Sequence, residues 1–412
     1  MQQTMQQEAH KRKGLLADKW RKRIRGCAGS GRAAIPVWKY LLNGRRMVLN
    51  EREDFDTWLE FATLCRHGGN NALAERVLNM SWKMLSPDGG VGMGGVLGEG
   101  PDVTSVSSSS PSSSRVAEGM DSLPNTANLR TTLSKLPEEE KSLTLRIHFA
   151  MLKQHWVSPA KRPQALSGLE SLIRHMGEFA TSADKTTHLD CLLKLGEWKI
   201  AMIEPGMVVD KSTRRDVLAL YGRAITMDPT DYRAWHQWGL SNYRAIEESR
   251  MGATVGNATP KFAQEAIPAG MPLPVLHTPV NEGDDAGASG KGYISNRPFH
   301  LPKTRRNSNQ IVPSLMSVPQ EILVPLAVNA TKGLMKAIAL GTQRWSSSVT
   351  QDMLCVLGIW FRFGRISDVL SALEQGLDQV HLDNWLGVLP QLLARIDHPE
   401  ASTRDLLHSL LM

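Results

Sequence analysis

The sequence predicts an all-α fold: an α-solenoid of helical repeats, similar to TPR or HEAT repeats, interrupted by two long disordered inserts. Apolar residues recur at i, i+3, i+4 and i+7 in segments that end at Gly, Pro or Asp. No segment alternates apolar and polar residues as a half-buried strand does, and no hairpin turn joins two such segments. The helices come in pairs of similar layout, an aromatic helix followed by a glycine turn and a helix with small residues. This pattern is typical of hairpins that bury their apolar faces only by stacking.

The first helical hairpins are predicted over residues 15–85, after a basic tail at residues 1–14. Trp58, Phe61 and Cys65 lie on one face of a helix, and a second periodic segment follows. Gly68–Gly69 stands between the two segments, where glycine ends one helix and allows the turn into the next.

Two stretches are predicted to be disordered. In the first, residues 86–136, seven of the twelve residues from Gly89 to Gly100 are Gly, and eight of the ten from Ser105 to Ser114 are Ser. Such segments bury too little apolar surface to offset the entropy of ordering. The second, residues 251–310, is rich in Gly, Pro, Ala and Asn.

Helical repeats are predicted over residues 137–250 and 311–412. Pro137 and the acids Glu138–Glu140 are typical of a helix start. Later helices are predicted to begin after Asp228–Pro229 and near Ser348, and Gly364 is predicted to end one. The last predicted helix of this kind contains Trp385, and the proline at position 390 must kink or restart it.

Composition excludes several classes of protein. The chain has 412 residues, a net charge of +7 and 41% apolar residues, so the positive charge is mild and does not favour a nucleic-acid binder. No uncharged apolar run approaches the ~18–20 residues of a membrane span. The four cysteines are far apart, with no zinc-ligand spacing, which favours a reduced compartment. The basic N-terminus lacks the apolar core of a secretory signal, and a transit peptide is the alternative.

The motif search gives no catalytic residue and no metal ligand. Gly90–Gly95 formally matches GxGxxG, but its Gly- and Ser-rich surroundings favour a low-complexity coincidence. No HExxH, GxSxG or kinase catalytic loop is present. His148 and His155, seven apart on one helix, either share a ligand or form an ordinary surface or semi-buried pair, and we favour the second. Because tryptophans at helical spacing are more often core residues, we do not assign them to a ligand groove.

Several blocks of sequence nevertheless resemble a known family. They are Trp20–Cys27, Val37–Trp38, Leu49–Arg66, Leu193–Trp198 (LKLGEW), Asp231–Trp238 (DYRAWHQW) and Asp383–Asp397 (DNWLGVLPQLLARID). They resemble, in order, blocks of the FAT region of TOR, the target-of-rapamycin kinases within the phosphatidylinositol-3-kinase-related protein kinases. The resemblance extends from about Leu15 to Met412, and the Trp-His-x-Trp and Asn-Trp-Leu blocks are its most specific parts.

The resemblance implies a helical scaffold that clamps and regulates a kinase domain in growth and nutrient signalling. The parent protein would be a non-specific serine/threonine protein kinase, and its ATP and Mg²⁺ would bind in a kinase domain that these residues do not include. The implied partners are that kinase domain, the subunits of a TOR complex and a second copy within a higher-order dimer. The implied locations are the cytoplasm, the periphery of endomembranes and the nucleus. The chain would be either a fragment of such a kinase or a relative whose gene ends here. The alternative function is a free-standing helical-repeat adaptor that binds partner proteins.

The resemblance also implies a ligand site, and the sequence itself suggests a phosphorylation site and a set of structural residues. The implied ligand is an inositol polyphosphate, which lysines of the family bind. Arg250 occupies a position similar to that of one such lysine. Arg214 and Arg215 lie near the position of another, and Asp216 occupies that position itself. The alternative is that these arginines are solvated helix ends. Ser308, after Arg305–Arg306, fits a basophilic kinase target in the second insert, although such patterns also occur by chance. The architecture is assigned to six tryptophans: Trp58, Trp198, Trp235, Trp238, Trp360 and Trp385.

Overall fold

The all-α prediction is confirmed. A computed structural model describes residues 2–28, 32–49, 54–85, 126–179, 181, 184–203, 209–255, 320–341 and 346–412. These described residues form sixteen α-helices, with two short 3₁₀ turns and no strand. They divide into two compact units, and the boundary falls between His188 and Leu189.

The first unit contains α1 to α7 and the start of α8. The bounds of these helices are α1 Gln2–Ala28, α2 Ile35–Arg45, α3 Phe55–His67, α4 Asn71–Leu85, α5 Thr126–Lys135, α6 Glu138–Trp156, α7 Arg162–Phe179 and α8 Lys185–Ala201. The predicted turn at Gly68–Gly69 separates α3 from α4. Gly69 has φ +78°, a backbone conformation that glycine adopts without steric cost.

The core of the first unit lies between α2, α3, α4 and α6. Trp38 and Trp58 both pack on Phe61, with ring centroids 6.4 and 6.3 Å from it. All three side chains are at most 4% exposed. Burial of several large aromatic rings in one cluster supplies much of the apolar stabilisation of a unit of this size.

A buried ion pair joins the end of α2 to the start of α3. Arg45 is 2% exposed and Asp54 3% exposed, and Nε of Arg45 donates to Oδ2 of Asp54 over 2.7 Å. The Nη2 of Arg45 donates to the other carboxylate oxygen, and Thr57 Oγ1 donates to it from 2.6 Å. The paired bonds between the planar guanidinium and the carboxylate fix the angle between the two helices.

The second unit contains the rest of α8 and the helices that follow it. Their bounds are α9 Lys211–Met227, α10 Tyr232–Val255, α11 Gln320–Leu340, α12 Ser346–Phe363, α13 Ser367–Leu377, α14 Leu382–Leu386, α15 Leu389–Leu393 and α16 Ala401–Leu411. The Trp385 helix, α14, is separated from α15, in which Pro390 is near the first position. The proline therefore restarts a helix, as predicted.

Two glycines bring α10 and α11 into direct contact. A Cβ added to Gly239 of α10 would lie 2.6 Å from Cγ of Leu334 in α11. A Cβ added to Gly333 of α11 would overlap the indole ring of Trp238 in α10. Side chains at either position would hold the two helix axes apart, so this crossing depends on glycine.

α11 is the one helix among the described residues whose length and composition would allow it to cross a membrane, over Ile322–Leu340. Half of that segment is buried, and α11 contacts α10, α12 and α13. Ala327, Ala330 and Leu334 are completely buried within the unit. We therefore interpret α11 as a core helix.

The boundaries of the predicted disordered and tail segments need correction. The basic tail at residues 1–14 is helical from Gln2. The insert predicted over residues 86–136 contains α5, whose Leu129 and Leu133 are at most 1% exposed. Two leucines four residues apart are enough to attach a short helix when a folded neighbour covers them. The Ser- and Gly-rich sequence before α5 gives no sign of this burial. α10 likewise continues to Val255, into the insert predicted from residue 251. The Gly90–Gly95 motif and Ser308 lie outside the described residues.

Candidate functional site

The block DYRAWHQW, one of the two most specific parts of the resemblance, forms the end of a turn and the first two turns of α10. Asp231 accepts hydrogen bonds from the backbone N–H of Ala234, over 3.1 Å, and from Arg233. A carboxylate at this place satisfies helix N–H groups that would otherwise lack a partner. Other residues of the block contact α8, α11 and α12. We call the polar contacts of the whole of α10 to its neighbouring helices the α10 network.

The centre of the α10 network is a buried triad between α10 and α12. His236 Nδ1 lies 2.7 Å from Oδ1 of Asp352, and the hydroxyl of Tyr232 donates to Oδ2 over 2.9 Å. The three residues are at most 5% exposed. Burial raises the pKa of Asp352, and the hydrogen bonds from His236 and Tyr232 oppose that rise. The acid is therefore held in place by two hydrogen-bonding groups from one face of α10.

Further ion pairs connect α10 with its neighbours. Arg233 lies 2.7 Å from a carboxylate oxygen of Asp190 in α8. At the other end of the helix, Glu247 accepts from Arg362 of α12, and Glu248 accepts from Arg214 of α9. α10 is thus connected by side-chain contacts to α8, α9 and α12, and by the glycine crossing to α11.

The predicted inositol-polyphosphate residues belong to two helices that contact each other, α9 and α10. Arg214 is paired with Glu248 and also donates to the carbonyl of Val209 over 3.3 Å. Arg215 is exposed on the same helix. Arg250 follows Glu248 by two residues on α10, but its side chain lies outside the described residues. Because Glu248 neutralises Arg214, a polyanion would have to displace this carboxylate, and the inositol-polyphosphate site stays a prediction.

The six signature tryptophans differ in burial. Trp58, Trp198 and Trp360 are at most 1% exposed, and Trp238 and Trp385 are each 4% exposed. Trp235 is only partly buried, and its Nε1 donates to the carbonyl of Pro229 over 2.8 Å. Trp235 therefore fixes the turn before α10, whereas the other five lie in the cores of their units.

The described residues contain no group of His, Cys, Asp or Glu that could hold a metal ion. Burial raises the pKa of the Cys65 and Cys355 thiols to about 12, so neither is a thiolate at neutral pH. The α10 network can hold helices together, and within the described residues it presents no nucleophile paired with a base.

His148 and His155 are buried, unlike the surface or semi-buried pair that we favoured. His148 is fully buried, its ring lies edge-on to Trp82, and neither ring nitrogen has a hydrogen-bond partner in the part of the chain described. Burial, together with the nearby His175 and His155, lowers the pKa of His148 to about 4. His148 is therefore neutral at pH 7.

Sequence reasoning did not find Asp352 or Tyr232 as partners of His236. Asp352 lies in a helix 116 residues further along the chain than His236. An acid among apolar neighbours on the buried face of α12 was the available signal, since an unpaired carboxylate is rarely placed in a core.

The sequence of the chain matches a known domain family. A sequence model of the FAT domain matches residues 1–357. The chain belongs to the FAT domain family. The match includes the α10 network as far as Asp352 and the α10–α11 crossing.

Similar proteins extend the match to almost the whole chain. The serine/threonine-protein kinase TOR2 of Saccharomyces cerevisiae is 27% identical over 400 residues, which cover 96% of this chain and 13% of TOR2. The serine/threonine-protein kinase mTor of Drosophila melanogaster is 24% identical over 97% of this chain and 12% of its own length. The TOR kinase of Arabidopsis thaliana is 22% identical over 98% of this chain and 12% of its own length. The chain therefore spans about one eighth of the length of these relatives.

Proposed function

We propose that this chain is the FAT segment of a TOR-type serine/threonine protein kinase and acts as the helical scaffold that holds and regulates the kinase domain. The observation that carries the proposal is the alignment with TOR kinases over 96% of the chain, together with the FAT match. The absence of a nucleophile–base pair from the described residues fits a structural role.

The α10 network supports a scaffold that transmits strain rather than one that bends freely. Ion pairs and hydrogen bonds join α10 to α8, α9 and α12, and a glycine crossing joins it to α11. Because a close-packed interior resists deformation, a displacement at one of these helices moves the others with it. A kinase domain held by such a unit would open and close with the position of the helices, as a two-state control requires.

The proposal also covers the site of catalysis, the partners, the signalling role and the location of the protein. The phosphotransfer, with its ATP and Mg²⁺, belongs to the kinase domain. The partners are that domain and the subunits of a TOR complex, within which the parent kinase dimerises. The protein works in growth and nutrient signalling, in the cytoplasm and at the periphery of endomembranes, with a nuclear pool. An inositol polyphosphate bound by Arg214, Arg215 and Arg250 would stabilise the α9–α10 pair.

A full-length transcript read through the codon for Met412 tests the proposal against the adaptor alternative. We expect the open frame to continue through a further helical segment into a protein kinase domain. A stop codon at that place in every transcript would reject the kinase-scaffold proposal and favour an adaptor that acts without a kinase domain.

A further inference from the structure

The outer face of α1 carries a row of cations that have no acidic partner. Lys11, Lys19, Lys22 and Arg23 are exposed, and none of them pairs with an acid in the part of the chain that the structure describes. At 100° per residue they fall within an arc of about 120°, and they extend over about 18 Å of the helix. Leu15, which is 56% exposed, lies among them.

The acids of α1 do not neutralise this row. Glu8 lies 2.7 Å from Arg12, and Asp18 lies 3.3 Å from Arg21, so both are already paired. From Met1 to Ala28 the sequence has no other acid. The row therefore keeps its positive charge.

The opposite face of α1 is attached to the first unit. Ile24 is 3% exposed within the core cluster, and the carbonyl of Ala17 accepts from Arg45 over 3.3 Å. Arg21 lies 3.6 Å from Asp56 of α3. Because these contacts fix the rotation of α1 about its own axis, the cations point away from the core of the unit.

α2 contacts α1 in the same unit, and together with the turn that follows it exposes an apolar surface, which we call the apolar face of α2. Tyr40 is 80% exposed and Met47 88% exposed, and Val37 and Val48 are each more than 40% exposed. Between Ile35 and Leu49 no charged side chain is fully exposed, since Lys39 and Arg46 are half-buried and Arg45 is buried. An uncharged face of this kind is unusual on a surface that meets only water.

We propose that the cationic face of α1 and the apolar face of α2 form a docking surface for a bilayer that contains anionic phospholipids. Three of the four free cations are lysines, which act as point charges and suit many mobile headgroups better than one oriented phosphate. The row is also too long for a single phosphate group. A bilayer supplies both the negative surface and the apolar layer that the two faces require, whereas an acidic peptide supplies only the charge.

Vesicle co-sedimentation of the complete 412-residue chain tests this surface. The vesicles are phosphatidylcholine alone or phosphatidylcholine with a minor fraction of phosphatidylserine, at low and high salt. We expect binding only to the phosphatidylserine vesicles, weakened by salt. The triple variant Lys19→Glu, Lys22→Glu, Arg23→Glu should bind at least about tenfold more weakly, because each basic residue near an anionic surface contributes independently.

A matched control separates this surface from the overall charge. The triple variant Lys135→Glu, Lys185→Glu, Arg223→Glu makes the same change of charge at exposed positions of other helices. It should bind the vesicles like the wild type. The double variant Tyr40→Ser, Met47→Ser should bind several-fold more weakly at every salt concentration, and circular dichroism should give wild-type helix content for all variants.

Several results would overturn the proposal. Equal binding of the wild type and the α1 triple variant would show that the cationic face of α1 does not contact the bilayer. Equal binding to vesicles with and without phosphatidylserine would show that charge does not select the partner. Binding of soluble polyglutamate without binding of vesicles would assign the face to an acidic protein instead. None of these outcomes depends on whether a kinase domain follows in the same polypeptide.

Discussion

His236 Nδ1 lies 2.7 Å from Asp352 Oδ1, and this contact joins α10 to α12 inside the second unit. His236 belongs to the block DYRAWHQW, and Tyr232 of the same block donates to the second oxygen of Asp352. A block on which the family resemblance rests therefore supplies the α10 half of a buried polar contact. Its partner is contributed by a helix more than a hundred residues away.

Replacement of Asp352 with Ala should loosen the contact between α10 and α12. The change removes the buried carboxylate that His236 and Tyr232 both contact, at an expected cost of about 2–4 kcal/mol in the free energy of unfolding. Hydrogen exchange followed by mass spectrometry should show faster exchange of the α10 and α12 amides. Asp383→Ala is the control, because that side chain is 79% exposed and its loss should leave exchange unchanged. Wild-type exchange in Asp352→Ala would mean that the triad contributes nothing to packing.

The close contact of α10 and α11 at Gly239 and Gly333 predicts that glycine-to-alanine substitutions at two helical positions change stability in opposite directions. Gly333→Ala places a methyl group against the indole of Trp238 and should destabilise the second unit by about 1–3 kcal/mol. In Gly177→Ala, a Cβ meets nothing within 4 Å, and alanine's higher helix propensity should stabilise α7 by up to about 1 kcal/mol. Urea unfolding measures both. If Gly333→Ala were as stable as the wild type, the two helices would not be in such close contact.

The tryptophans should differ in their contribution to stability according to burial. Trp360→Ala removes a fully buried indole and should cost about 3–5 kcal/mol. Trp235→Ala removes a partly buried ring and one hydrogen bond to Pro229, so it should cost only about 1 kcal/mol. Thermal unfolding of the two variants checks the order. A larger loss of melting temperature in Trp235→Ala would contradict the assignment of Trp360 to the core.

Acid should destabilise the first unit through His148. The pKa of this group is about 4 in the folded chain, against an ordinary 6.5, so the unfolded chain binds the proton more tightly. Above pH 6.5 His148 is neutral in both the folded and the unfolded chain, so its titration costs no stability. As the pH falls from 6.5 towards 4, the unfolded chain binds a proton that the folded chain does not, and stability is lost. At pH 5 the loss from this one group should be about 2 kcal/mol.

Urea unfolding at pH 7.5 and pH 5 measures this loss. In His148→Phe the difference between the two pH values should shrink by about that amount, whatever the absolute stability of the variant. His381→Gln changes a histidine that is 77% exposed and should keep the wild-type difference. An unchanged pH dependence in His148→Phe would show that His148 is not the acid-sensitive group.

The sequence predicts local structure better than it predicts contacts between distant helices. The turn between α3 and α4 follows from Gly68–Gly69, and the restart at α15 from Pro390, because these residues restrict the backbone wherever they occur. α5 was missed because its stability comes from burial of Leu129 and Leu133 against other helices and not from its own composition. The pair of His236 and Asp352 could not be predicted, since no property of either residue alone specifies the other.

The same limit applies to the proposed ligand residues. The resemblance placed Arg214, Arg215 and Arg250 near a common ligand, and the structure does place two of them on α9 and the third on α10. The pairing of Arg214 with Glu248 depends on the packing of α9 against α10, which the spacing of charges along the chain does not reveal.

A kinase assay on the full-length polypeptide that contains these residues tests the central claim most directly. The tagged protein is purified from its own cells as the wild type, Asp352→Ala and Asp383→Ala, and each form is assayed on a serine/threonine peptide. We predict kinase activity in the wild type and in Asp383→Ala, and a loss of roughly fivefold or more in Asp352→Ala, the range of a typical coupling between two sites. Full activity in Asp352→Ala, despite faster exchange in α10 and α12, would contradict the claim that this segment holds the kinase domain, and so would a full-length polypeptide with no kinase activity.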